Sequence, residues 1–364
     1  MIREIGSEFN ISWEIDNTIN KSSSNIYKPY YDYTYARSGR EAIGFILDEI
    51  KPKTKIAILP TYICESMLKP FLKRGYSIEY FGIDEYFNPN ISELEIALHK
   101  NPDIILVIDW FGMDKNQEVV SLAKKHSENL TVLADCTHSY FNDVMSFEAD
   151  FIVASLRKWF ALPDGAIAIN RKGKFKNRLE FIHNCFFTKR KKAMLMKTEY
   201  LYNGEEDLKV QFRSLLSEAE DLLDNEDKLI GMSPFSLSLI NKMDFDLMKK
   251  KRRENFNVLY NFIKGSMNTS ITPIVNKMAM NSECPFSFPV IIEGKGNRDK
   301  LQSWLSNNGI YCPVLWPLPE DVYLNNKVSA FISDNMLSIP CDQRYSIDDM
   351  KYIVKTINAF FRGN

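Results

Sequence analysis

The chain is poor in histidine, with 4 residues in 364, and no two of them stand at metal-ligand spacing. Its six cysteines (Cys64, Cys136, Cys185, Cys284, Cys312, Cys341) are scattered, without a CxxC pair. No metal framework is therefore expected, and the thiols read as reduced and mostly buried, as in a cytoplasmic protein. Charge of one sign is also lacking: 46 Lys and Arg face 47 Asp and Glu, a net charge of −1. That balance gives no electrostatic case for nucleic acid or for a membrane surface. No apolar run reaches transmembrane length, and Met1–Glu8 has no hydrophobic leader segment. No internal repeat is evident. What is present is ordinary for a globular protein, 45% hydrophobic and 26% charged, at a length that suggests two domains.

From Lys55 onward, strand and helix patterns alternate. Apolar runs at Ile56–Leu59, Ser77–Phe81, Ile104–Ile108 and Thr131–Ala134 predict strands. Between them, 64–74, 91–99 and 117–126 predict helices. Repeated units of this kind imply a mainly parallel sheet with helices on both faces, and ligands collect at the carboxyl ends of its strands. Residues 1–35 have no clean period and read as an N-terminal arm, packed on something else such as another subunit. Residues 171–228 are less regular. The basic run Lys189–Lys192 reads as a solvated helix face, and Glu218–Lys228 as acidic surface. After Gly231 a long helix is expected over 237–260. Strands follow at 286–292, 310–315 and 338–339, with helices at 298–307 and 347–361, as in a small α+β domain.

The stretch from Asp150 to Asn170 carries the chemistry. Phe151–Ala154 and Ala166–Ile169 read as buried strands, and between them lie Ser155, Arg157, Lys158, Asp164 and Gly165. A lysine held there is desolvated and has a cation beside it, and both effects favour the neutral, nucleophilic amine. Such an amine forms Schiff bases with carbonyls, of which pyridoxal phosphate is the commonest cofactor. The same pattern also describes a surface lysine on a loop.

Strand ends elsewhere supply possible partners. Asp135 directly follows an apolar strand, where a carboxylate needs a cationic or hydrogen-bonding partner. A protonated pyridine nitrogen is one such partner; a turn cap is the other reading. His138 either reaches Asp135 or the cofactor ring, or is structural. Ser38-Gly39-Arg40-Glu41 opens an amphipathic pattern as a capping box, and such helix starts favour phosphate. Most capping boxes bind nothing.

In order and spacing, Ser38-Gly39-Arg40, Pro60-Thr61-Tyr62, Trp110-Phe111-Gly112, Asp135-x-x-His138 and Ser155-x-x-Lys158 with Asp164-Gly165-Ala166 resemble fold-type-I pyridoxal-phosphate enzymes. More closely, the chain resembles the DegT/StrS sugar aminotransferases, from about residue 36 onward. The likeness includes Arg252–Phe256, Gly309-Ile310 and Leu337–Tyr345. It implies a large domain (36–235) with a mainly parallel sheet flanked by helices, and a small C-terminal α+β domain (236–364).

The resemblance also implies roles. Lys158 matches the Schiff-base lysine, Asp135 the partner of the pyridine nitrogen, and His138 a residue beside the ring. Ser155, Ser38, Gly39 and Arg40 match the phosphate site. Three departures stand out. The family commonly has Thr where Arg40 stands, and its sugar enzymes place the serine five residues before the lysine rather than three. Cys64 holds the position of the residue that stacks on the ring, which leaves Tyr62 or Trp110 for that task. From their place in the small domain rather than from the resemblance, Trp316 and Arg344 are the candidates for facing the cleft and binding substrate, Arg344 through a carboxylate or phosphate; a surface salt bridge is the other reading of Arg344. The implied activity is transfer of an amino group from a glutamate-like donor to a nucleotide-linked keto-sugar, by a homodimer with shared sites. The alternatives are a non-catalytic sensor or scaffold, and a sugar dehydratase, in which the family replaces the lysine with histidine.

Overall fold

The computed structural model describes residues 3–11, 31–113, 116–142, 148–226, 228–265, 270–274 and 284–363. Seven strands build the main sheet: β1 (Asp32–Ala36), β2 (Ile56–Pro60), β3 (Ser77–Phe81), β4 (Ile104–Ile108), β5 (Thr131–Asp135), β6 (Phe151–Ser155) and β7 (Ala166–Asn170). Their spatial order is β1-β7-β6-β5-β4-β2-β3. All run in one direction except β7, which is antiparallel to both neighbours. Its reversal follows from the short 156–165 connection, which has no room for the helical crossover that a parallel neighbour needs. The last five residues of the stretch read as an arm include most of β1, the edge strand of this sheet.

Alternate strand residues bury on opposite faces, as the period of two requires. Ala57, Leu59, Ile104, Leu106, Leu133 and Val153 join one core, together with residues of α1 (Gly39–Glu49) and α2 (Glu65–Lys73). Ile58, Ile105, Val107, Val132, Ala134 and Ile152 join the other, with residues of α3 (Ile91–Leu98) and α4 (Gln117–His126). Burial on both faces is why these strands are continuous apolar runs in the sequence.

The irregular stretch contains two long helices, α5 (Cys185–Asn203) and α6 (Glu206–Asn225), folded back as a hairpin. Asn184 starts α5 by accepting the Phe187 N–H, and Gly204, at φ 77°, ends it in the left-handed region. The buried face of α5 carries Arg190 and Lys197 beside Phe186, Ala193 and Met194, and these charges hide its apolar period. The expected 237–260 helix is two helices, α7 (Pro234–Ile240) and α8 (Phe245–Gly265).

A second sheet has three antiparallel strands in the order β10 (Met336–Ile339), β9 (Phe288–Ile292), β8 (Ile271–Pro273). Around it lie α9 (Asn297–Asn307), α10 (Glu320–Asn325), α11 (Lys327–Asn335) and α12 (Ile347–Gly363). The expected strand at 310–315 is not one. Ile310 makes only an isolated bridge with Ile5, and the Pro313 carbonyl accepts from Ser338 N while its own nitrogen has no hydrogen to return. β8 was not foreseen.

The described part of the arm packs on its own chain. Ile5 pairs with 309–311, the Gly6 N–H donates to the Tyr345 hydroxyl (2.7 Å), and the Ile11 carbonyl accepts from Thr198 Oγ1 (2.6 Å). Residues 12–30 of the stretch read as an arm lie outside the described residues.

Candidate active site

β5 and β6 end side by side, and their last residues are Asp135 and Ser155. A single 3₁₀ turn, Leu156–Lys158, follows β6 and places Lys158 at this carboxyl edge. Leu156, Trp159 and Phe160 are buried around it, while Lys158 itself is exposed. Its Nζ stands 5.9 Å from the centre of the Trp316 ring. This corrects the expectation of a desolvated amine and agrees with the other reading, a lysine exposed on a loop between strands. Lys158 opens to solvent, and the neighbouring Arg157 is engaged by Glu220 of α6.

Asp135 is 7% exposed, and its Oδ1 accepts the Thr137 N–H at 2.8 Å. Burial pushes its carboxyl up, against the Thr137 hydrogen bonds and the Lys158 charge, which pull it down. A buried carboxylate so incompletely compensated calls for a cationic donor. His138, three residues on, is held well below the usual imidazole range, first by burial and then by the Lys158 charge. Its Nδ1 accepts the Phe111 N–H at 3.5 Å. The proton of the neutral ring therefore sits on Nε2, which is buried without a hydrogen-bond partner. Phe286 stacks on the imidazole at 4.2 Å and 11°, and Trp316 at 5.2 Å and 28°.

The start of α1 meets the same edge. A Cβ built on Gly39 would lie 3.4 Å from Ser155 Cβ, so the helix start and the end of β6 touch. Ser38 is the N-cap, as expected, and accepts the Glu41 N–H at 3.4 Å. Its hydroxyl hydrogen goes to Glu41 Oε2 at 2.7 Å, so this oxygen has no proton left for a phosphate. Glu41 is held in turn by Arg37 and the Ile230 N–H. Arg40 turns to α6, pairing with Asp224 and Glu220.

The aromatic candidates divide. Trp316 stands in the site, over Lys158 and against His138. Tyr62 and Trp110 do not offer a stacking face there, because both are fully buried as its supports. The Tyr62 hydroxyl donates to the Leu315 carbonyl and accepts the Trp316 N–H, and Trp110 Nε1 donates to the Tyr62 carbonyl at 3.1 Å. Cys64 caps α2 at the half-buried entrance, its Sγ 3.0 Å from Ser66 Oγ. Arg344 is outside the site: it forks onto Asp342 (2.8 and 2.9 Å), donates to the Ser7 carbonyl and lies 4.0 Å over the Phe9 ring. The nearby acid two residues earlier was the signal for that pairing. Phe286, Phe111 and Glu220 were not foreseen. The first two are core aromatics whose orientation only packing sets, and the third is one acid among many.

An aldehyde cofactor carrying a phosphate and a pyridine ring is compatible with this edge. The orphan Nε2–H of His138 and the under-compensated Asp135 carboxylate are unmet needs that it would answer, beside the helix start at Gly39.

Solved structures share the fold. The Helicobacter pylori aminotransferase PseC, involved in the biosynthesis of pseudoaminic acid, is 16% identical over all of both chains, with a TM-score of 0.67. The putative sugar aminotransferase Spr1654 from Streptococcus pneumoniae, in its PMP form, is 14% identical over 89% of this chain and 85% of that one (TM-score 0.62). A DegT DnrJ EryC1 StrS aminotransferase from Brucella abortus is 14% identical over 90% and 85% (TM-score 0.58). No family model and no curated protein matches the sequence. The chain thus has the fold-type-I architecture expected from its motifs.

Proposed function

We propose that this chain is a pyridoxal-phosphate-dependent aminotransferase, moving an amino group from an amino-acid donor such as glutamate to a nucleotide-linked keto-sugar. One observation carries the reading: Lys158, Asp135 and His138 come together at the carboxyl ends of β5 and β6, beside the start of α1, in an aminotransferase fold. The resemblance to sugar enzymes supports the acceptor class. When bound, pyridoxal phosphate supplies an electron sink for the pair released as the donor's α-proton leaves.

The protein's own groups divide the work. Lys158 Nζ would be the amine that holds the cofactor's carbonyl carbon, and as a free amine it would be the base that carries the donor's α-proton. The Asp135 carboxylate would hold a proton on the pyridine nitrogen. His138 Nε2–H would donate to the ring oxygen, with Phe286 and Trp316 fixing the imidazole by stacking. Ser155 and the first amides of α1 would take the phosphate. Domains at 36–235 and 236–364, a homodimer with shared sites and a cytoplasmic location belong to the same reading. Exposed Ile182, Tyr202 and Val210 on and beside the helical hairpin support an association surface.

One observation favours the rival, a non-catalytic protein on this fold: the Ser38 hydroxyl and Arg40 are both spent within the chain. The visible spectrum with pyridoxal phosphate, before and after glutamate, separates the two. A Lys158-dependent band that glutamate converts to the pyridoxamine form is expected. A band unchanged by any amine donor would favour the scaffold, and no band in the wild type would overturn the cofactor assignment.

A further inference from the structure

Three guanidinium groups converge on one carboxylate beside the proposed cofactor site. Glu220 of α6 receives Arg157 Nη2 at 3.0 Å, Arg190 Nη1 at 2.9 Å and Arg40 Nη2 at 3.4 Å, with Arg157 Nη1 as a further donor. The three arginines come from different places. Arg157 lies between Ser155 and Lys158, Arg40 follows Gly39 in the first turn of α1, and Arg190 is on the buried face of α5. Arg157 and Arg190 stand 5.6 and 5.8 Å from the centre of the Phe186 ring, which packs beside them.

Glu220 is the acceptor that all three arginines share. Asp224 shares Arg40, and Glu8 approaches Arg190 at 3.4 Å, but the ion pairs of Arg157 among the described residues are with Glu220 alone. Arg157 Nε is buried without a partner. The neighbouring Arg37 is satisfied by Glu41 and Glu226. The two acceptor oxygens of Glu220 are a poor match for the donors of three forked cations held next to a helix start, and Arg157 Nε stays unmet. A phosphate, with about two negative charges and three acceptor oxygens, is a better one. The site also needs such donors, since Ser38 has committed its hydroxyl to Glu41.

We infer that Arg40, Arg157 and Arg190 form a phosphate subsite whose internal occupant is Glu220, and that a ligand's phosphate replaces that carboxylate on the arginines. The ligand's identity, not the subsite, rests on the function proposed above. Two phosphates are available to it, the cofactor's own and the diphosphate of a nucleotide-linked acceptor.

The test compares wild type, Glu220→Gln and Arg157→Gln by calorimetry with inorganic phosphate and UDP. The Lys158-dependent absorbance is followed with pyridoxal phosphate and with pyridoxal. Glu220→Gln keeps the side-chain shape, and phosphate affinity is expected to rise about tenfold; in Arg157→Gln it falls about tenfold. If pyridoxal phosphate follows the phosphate trend while pyridoxal does not, the cofactor supplies the group; if UDP follows it instead, the acceptor does. Unchanged phosphate, cofactor and UDP affinities in a folded Glu220→Gln variant would overturn the inference and leave a structural ion network. A wild type without any Lys158-dependent band, yet with Glu220-dependent phosphate binding, would sink the aminotransferase reading and keep the subsite.

Discussion

His138 and Phe286 lie face to face, ring centres 4.2 Å apart and planes 11° apart, and so join the end of the large sheet to the segment leading into β9. The stack leaves the imidazole Nε2–H buried and unpaired. A phenyl ring there removes the orphan donor but also strands the Phe111 N–H, which Nδ1 accepts. The two effects offset, so His138→Phe is expected to change stability by less than about 1 kcal/mol in urea unfolding and to bind pyridoxal phosphate less tightly. The folded imidazole's pKa is depressed, so below the ordinary value of 6.5 the unfolded chain takes a proton that the folded one refuses. Wild-type stability therefore falls as pH drops through 6.5, and the variant should lack that part of the fall.

Asp135→Asn removes the charge that holds the pyridine proton while keeping the shape. The Lys158-dependent absorbance should persist. The half-reaction with an amino donor should slow on the order of 10²-fold or more, as for loss of a preorganised electrostatic partner. Stopped-flow absorbance with glutamate checks this, and an unchanged rate would remove Asp135 from its role.

Lys197 sits on the inner face of α5, donating to Ser7 Oγ (2.6 Å) and to the Glu8 carbonyl of the arm. Burial, then the Arg344 charge, lowers its pKa from 10.5 to about 7. Below pH 7 the amine is charged in both states and its burial is costly. Between 7 and 10.5 the unfolded chain keeps the proton and the folded chain sheds it, so stability rises with pH over that window. In Lys197→Met this rise should disappear. Thermal melts at pH 7 and 9 on both proteins measure the difference.

Asp164 and Ser233 tie the loop after Lys158 to the start of α7. Asp164 accepts the Ser233 N–H (2.8 Å), the Ser233 hydroxyl (2.7 Å) and the Ser236 hydroxyl. Beside it, Gly165 has φ 139°, and a Cβ there would meet Met232 Cε at 2.7 Å. Asp164→Ala strands two hydroxyls and an amide in a buried site and should cost about 3 kcal/mol, read from the urea midpoint at constant slope. A loss below about 0.5 kcal/mol, the range of ordinary surface substitutions, would show that this tie does not hold the loop.

Some of the site was readable along the chain because its signals are local. Strands buried on both faces are unbroken apolar runs, so a polar residue directly after one marks the sheet edge. Asp135, Ser155 and Lys158 announce themselves in this way. Capping by Ser38 was equally local, spanning three residues. Trp316 was found as a candidate, whereas Tyr62 and Trp110, offered as alternatives for stacking, are fully buried behind it. Residue type marks an aromatic as core; it says nothing of where its face points.

The composition and periodicity of this sequence by themselves determined an α/β chain with a mainly parallel sheet and a lysine and an aspartate at its carboxyl edge. Tertiary structure alone decided the direction of β7, the α5–α6 hairpin with its charged inner face, and the meeting of Arg40, Arg157 and Arg190 on Glu220. The reason is physical. Apolar burial repeats with the period of its own element and can be read within ten residues. An ion pair between residues 63 apart, such as Arg157 with Glu220, leaves no period in the sequence and exists only once the chain has closed.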